Sequence, residues 1–144
     1  NAVIAAVAVL LMWLMGVGPF LIVHLPVVLI AASIGVWLFF VQHQFERTSW
    51  ASDGDWNLHD AALHGSSHYD LPAFLHWFTG NIGYHHIHHL ASRIPNYRLA
   101  QCMKEVPELH RVTKLGVWES LKTLRLRLWD EDQKRLVSFS QAGV

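Results

Sequence analysis

Apolar residues run almost unbroken from Ala2 to Val41, with no Asp, Glu, Lys or Arg among them. Gly16-Val17-Gly18-Pro19 divides the run in two. The first part, Ala2 to Met15, is shorter than a bilayer span and reads as a transmembrane helix cut by the start of the sequence, which opens on Asn1 without an initiator Met. A signal peptide is the rival reading, but the basic n-region is missing and a second apolar segment follows at once. That segment, Phe20 to Gln42, has Pro19 placed to open it and a length of about 34 Å as helix, enough to cross a ~30 Å hydrocarbon core. His24 and Pro26 fall near its start, where we expect His24 to be a polar residue of the helix end.

Beyond residue 42 the pattern shortens and becomes mixed. Over Thr48 to Gly65 a cap-rich stretch, Ser52-Asp53-Gly54-Asp55, precedes a short helical pattern from Trp56 to His64, and Trp50, Trp56, Leu58, Ala62 and Leu63 of this region are expected at a membrane surface. Asp70-Leu71-Pro72 predicts a helix start with Asp70 as N-cap. Leu71, Phe74, Leu75 and Phe78 follow at helical spacing as a buried stripe. Ile94-Pro95-Asn96-Tyr97 restarts a helix to about Val106, which Pro107 ends. From Val117 to Asp130, Trp118, Leu121, Leu124 and Leu128 share one side of an amphipathic helix, although Arg125 to Trp129 also alternates as a strand would. Lys134 to Phe139 is expected to form a short terminal strand.

Charge sharpens this division. The chain carries eleven basic and eleven acidic residues, all from Glu46 onward, so a net charge of zero hides a two-part molecule. The expected fold is mainly α: an integral membrane helical hairpin over 1–42, a cytoplasmic region over 43–110, and a cytoplasmic amphipathic helix and tail over 111–144. The positive-inside rule places everything after residue 42 in the cytoplasm. The basic C-terminal residues solvate that surface and attract anionic lipid headgroups; nothing suggests a nucleic-acid partner.

Four of the eleven histidines fall between His85 and His89. On a helix, His85, His88 and His89 lie at about 0°, −60° and +40°, one face, with His86 on its shoulder at about 100°. Tyr84, Ile87 and Ala91 form an apolar back. Imidazoles clustered in this way are costly to bury without a partner, so the pattern points to a metal. No Asp or Glu lies between Asp70 and Glu105, and Cys102 is the only cysteine, which excludes a Cys-rich zinc site. The His-Glu-x-x-His protease pattern is absent. Imidazole suits Zn, Cu, Fe and Ni, so ligand type leaves the metal open. His43, at the exit of the apolar segment, either completes the metal sphere or marks the interface. His59, His64 and His68 share no clear face and read as polar interfacial residues; His76 and Asn81 are candidates for supporting the ligands. Gly80 and Gly83 permit a bend or a close backbone approach before the cluster.

His85-x-x-His88-His89, following an apolar hairpin and a tryptophan-rich loop, resembles the third histidine box of the membrane fatty acid desaturases. Gly65-Ser66-Ser67-His68-Tyr69-Asp70-Leu71-Pro72, Trp77-Phe78-Thr79-Gly80-Asn81-Ile82-Gly83 and Ser92-Arg93-Ile94-Pro95-Asn96-Tyr97 resemble its bacterial acyl-lipid branch, akin to omega-6 (delta-12) enzymes. The resemblance implies two non-haem iron ions, O2 as co-substrate, a ferredoxin or cytochrome b5-like electron donor, and a fatty acyl or acyl-lipid substrate. It implies His85, His88 and His89 as ligands, His43 as a supplementary one, and His86 outside the first sphere. It also implies an active site on the cytoplasmic side of a bacterial inner membrane. The family's first two boxes do not occur in these residues, so the chain is expected to be the C-terminal part of a longer enzyme and inactive alone. A related membrane hydroxylase of lipid or alkane, or a non-redox metal-binding or transport protein, is the alternative.

Overall fold

The computed structural model describes residues 1–51 and 54–143, and it is mainly helical. The chain divides into two compact units, residues 1–37 and 38–144. In the first lie helix α1 (Ala2–Met15) and most of helix α2 (Val17–His43). Gly16, at φ 88°, separates them, a left-handed conformation that only glycine adopts without strain. The helix therefore resumes two residues before the expected Pro19, which is tolerated in the first turn where its missing N–H has no intrahelical role.

α2 has 27 residues and is long and apolar enough, by length and composition, to cross a membrane. Its apolar side chains stand out from the fold, Ile22 at 75 % and Val36 at 69 % exposure. Within the helix, Ser33 Oγ donates to the Leu29 carbonyl at 2.7 Å, and the His24 ring stacks on Phe20 at 4.7 Å. His24 thus lies a full two turns inside α2 rather than at its end, because the helix extends to Val17.

The second unit is built from short elements. Helix α3 (Leu58–His64) is capped by Asn57, whose side chain accepts from Asp60 N–H at 2.8 Å. Of the cap-rich stretch expected here, Ser52 and Asp53 lie outside the described residues. Trp50, Trp56 and Leu58 are exposed, but Ala62 and Leu63 are buried at 1 % and 6 %, packing inward rather than onto a membrane surface. Leu63 joins Ile87, Leu99, Met103, Leu109 and Val112 in the core, the last four supplied by the helices and turns that follow.

Strand β1 (His68–Asp70) comes next, then helix α4 (Ala73–Phe78), the box helix α5 (His85–Leu90) and helix α6 (Asn96–Glu105). Asp70 does not cap a helix. It ends β1, and Pro72 holds the N-cap position of α4 instead. The predicted stripe is only partly buried: Leu71 is buried and Leu75 half-buried, but Phe74 and Phe78 are 63 % and 73 % exposed, and His76 is the buried side chain of α4. A six-residue helix has room for one inward face, and here it is the polar one. α6 ends where Pro107 begins a 3-10 turn, as the sequence predicts.

Strand β2 (Lys114–Gly116) pairs in parallel with β1, placing Lys114 opposite His68 and Gly116 opposite Asp70. The expected amphipathic helix over Val117–Asp130 is broken. Helix α7 (Val117–Ser120) gives way to a 3-10 turn over Leu121–Arg125, and Leu128–Asp130 forms strand β3. Ser120 and Thr123 hydroxyls donate back to the carbonyls of Val117 and Ser120, the three-residue spacing that favours 3-10 winding. The two-residue alternation of Arg125 to Trp129 then wins, and β3 pairs antiparallel with β4 (Arg135–Val137), the predicted terminal strand. A last turn of helix, α8 (Phe139–Ala142), follows Ser138.

Candidate metal centre

α5 gathers the site because its two sides face different neighbours. Ile87, 1 % exposed, anchors it in the core. The preceding turn is forced by Gly80 and Asn81, at φ 60° and 58°. Asn81 Nδ2 donates to the Asn96 carbonyl at 3.1 Å, so its amide fastens this turn to α6. Gln42, at the end of α2, donates to the Ile82 carbonyl at 2.7 Å, and Ser67 N–H donates to the Gln42 carbonyl at 2.9 Å. These bonds clamp the last turn of α2 against the segments flanking α5.

The clamp brings His43 to the box. Its Nε2 lies 3.1 Å from His89 Nε2, which lies 3.0 Å from His85 Nε2. His43 Nδ1 donates to the Phe39 carbonyl at 2.8 Å, which fixes the tautomer and leaves Nε2 as the bare, basic nitrogen. Three Nε2 atoms therefore converge from residues far apart in sequence. For metal–nitrogen bonds of about 2.1 Å, an octahedral edge is about 3.0 Å and a tetrahedral edge about 3.4 Å. The two observed separations match an octahedral edge, and all three ligand atoms lie within 4.8 Å of one another. The three side chains thus fit the resident metal that the box implies.

His88 is exposed and outside this trio, its ring 5.7 Å from that of His85 and 6.2 Å from that of His89. His86 turns away altogether. It is fully buried, its ring 5.9 Å from that of His68.

Burial, and then the neighbouring imidazoles, push the His85 pKa down to about 3. His89 is lowered by burial and by His43 and His88. Both rings are thus held neutral at physiological pH, the state a metal ligand needs. Burial also lowers His68 and His86 to about 4. The sign for stability follows. These rings take up protons in the unfolded chain below its ordinary 6.5 but not in the folded one, so the unfolded state binds more protons. The metal-free fold should lose stability as pH falls from 6.5 towards 4, by at most about 1.4 kcal/mol per pH unit for each such ring, less where solvent screens it. Chemical denaturation of the chelator-treated protein at successive pH values checks this; a midpoint that stays level across that window would contradict it.

Comparison with known proteins agrees with the box. The sequence profile of the fatty acid desaturases matches residues 1–120. This chain belongs to the fatty acid desaturase family. It is 47 % identical over 139 residues to a fatty acid desaturase of Bacillus subtilis, covering 96 % of this chain and 40 % of that protein. Chloroplastic omega-6 fatty acid desaturases of Brassica napus and Arabidopsis thaliana are each 29 % identical over 79 residues, 54 % of this chain and 18 % of theirs. The chain thus spans less than half the length of these relatives. No solved structure matches it.

The sequence of this desaturase-family chain did not point to one further grouping. His68, Asp70 and His76 bring ligand atoms within 4.8 Å of one another. A strand alternates its faces, so His68 and Asp70, two apart on β1, share one face. The two-residue spacing of His68 and Asp70 signals a shared face only where His-Tyr-Asp is a strand, as it is in β1.

Proposed function

We propose that this chain forms the third-box part of a membrane acyl-chain desaturase, an enzyme that removes two hydrogens from adjacent methylenes while O2 is reduced to water with two electrons from a ferredoxin or cytochrome b5-like donor. The observation that supports it is the convergence of the His43, His85 and His89 Nε2 atoms at the end of a span-length apolar helix, in a chain of desaturase lineage. In this reading α1 and α2 form a transmembrane hairpin and residues 43–144 face the cytoplasm, at a bacterial inner membrane.

Two iron ions, when bound, supply the O2 activation that unactivated C–H bonds require. The chain's own residues do the rest. His43, His85 and His89 hold one ion, His43 being oriented by the Phe39 carbonyl. His88, exposed beside them, is assigned to the second ion together with donors from outside these residues. Burial of His85 keeps protons off the ligand set. His43 is the last residue of α2, so the metal would lie at the end of that helix.

The test is a chimera in which this chain replaces the matching segment of the Bacillus subtilis relative, expressed in a host without desaturases. Gas chromatography of cellular fatty acids should show new double bonds with the chimera and none with this chain alone. Saturated profiles from a folded, iron-loaded chimera would contradict the proposal, and a hydroxylated product would move it to the hydroxylase reading.

A further inference from the structure

A second group of side chains lies apart from the box. His68 and Asp70 project from one face of β1, and α4 brings His76 to them. The histidines are buried, at 6 % and 9 % exposure, and His68 Nε2 and His76 Nδ1 have no hydrogen-bond partner among the described residues. Both rings stack on Tyr84 at 4.8 Å, which fixes their planes. The backbone is shaped around them: a Cβ on Gly83 would fall 2.7 Å from His76 Cε1. The two rings lie 6.4 Å apart, and buried imidazole nitrogens left without a partner in the fold call for one.

We propose that His68, Asp70 and His76 form a second metal site, separate from the histidine box, that takes a borderline divalent transition-metal ion such as Zn2+. Two imidazoles and a carboxylate suit that class of ion, and alkaline-earth ions, which prefer oxygen, less well. The lowered pKa values of His68 and His76 leave both rings unprotonated at neutral pH. Lys114 is the competitor, its ammonium 2.9 Å from Asp70 Oδ2 across the β1–β2 pair, and an arriving cation displaces it. His76 Nε2 now accepts a long 3.3 Å bond from Leu71 N–H, so the ring proton resides on Nδ1. Loading through Nδ1 moves that proton to Nε2 and opens the Leu71 bond. The ion would tie β1 to α4, stiffening the turn that leads into the box.

The experiment is a titration of the detergent-solubilised chain with Co2+, whose visible absorption reports ligation. In a His85→Ala/His89→Ala background, which removes the box site, one Co2+ should still bind per chain. Asp70→Asn and His76→Gln should each weaken that binding at least tenfold. Lys114→Met should tighten it about tenfold, a gain that misfolding cannot produce. No Co2+ bound in that background, or an affinity indifferent to Asp70→Asn and Lys114→Met, would overturn the proposal. The difference between wild type and the background reports on the box alone, so the two sites fail separately.

Discussion

His85→Ala will bring new double bonds in the chimera below detection and remove the metal bound at the box. His85 contributes the buried member of the trio, and its Nε2 is 3.0 Å from that of His89. Without it two imidazoles remain, on α2 and at the exposed edge of α5, and two donors hold a divalent ion far more weakly than three. His89→Ala should do the same, since His89 Nε2 stands between the other two. His88→Ala is expected to differ: its ring is outside the trio, so the first metal ion stays while double-bond formation fails. His86→Gln should leave the box metal in place, because His86 faces His68. Iron analysis of the four purified variants, beside their fatty acid profiles, checks the ranking. Equal loss of iron from all four would mean that the box face is drawn wrongly.

The second large effect is expected at a residue that offers no ligand atom itself. Gly83→Ala would place a Cβ 2.5 Å from the Tyr69 carbonyl and 2.7 Å from His76 Cε1. Neither can yield cheaply: the Tyr69 carbonyl belongs to β1, whose Tyr69 N–H is bonded to the Gly83 carbonyl at 2.9 Å, and His76 is packed against Tyr84. Overpacking of this kind costs about 1–3 kcal/mol and here pushes apart the turn that aims α5. Gly83→Ala should lower both the denaturation midpoint and the affinity for metal at the box. Gly18→Ala, with open space around it, should change neither. Matching midpoints for the two variants would refute the close approach.

The same contrast explains what the sequence could and could not reveal. The helices of the first unit were legible because a charge-free run of that length has one solution, and Gly16 punctuates it. The box helix was legible because four histidines in five residues have a clear face. His43 was ambiguous, since its partner is 46 residues away and the clamp of Gln42 on Ile82 is a tertiary fact. The α4 stripe misled because helical spacing says that one side of a helix is apolar, not which side the fold covers. Over Val117–Asp130 two periods competed in one stretch, and pairing with Arg135–Val137 decided for the strand. His68 was passed over because its partners, Asp70 and His76, belong to a strand and a helix whose boundary was misplaced.

The central claim is that the end of the apolar helix and the box make one metal site. It is tested most directly by the Co2+ spectrum of the chain in an Asp70→Asn/His76→Gln background, which leaves only the box, with His43 intact and as His43→Ala. We expect one bound Co2+ with visible ligand-field bands in the first protein, and at least a tenfold loss of affinity with an altered spectrum in the second. Identical spectra and affinities with and without His43 would contradict the account.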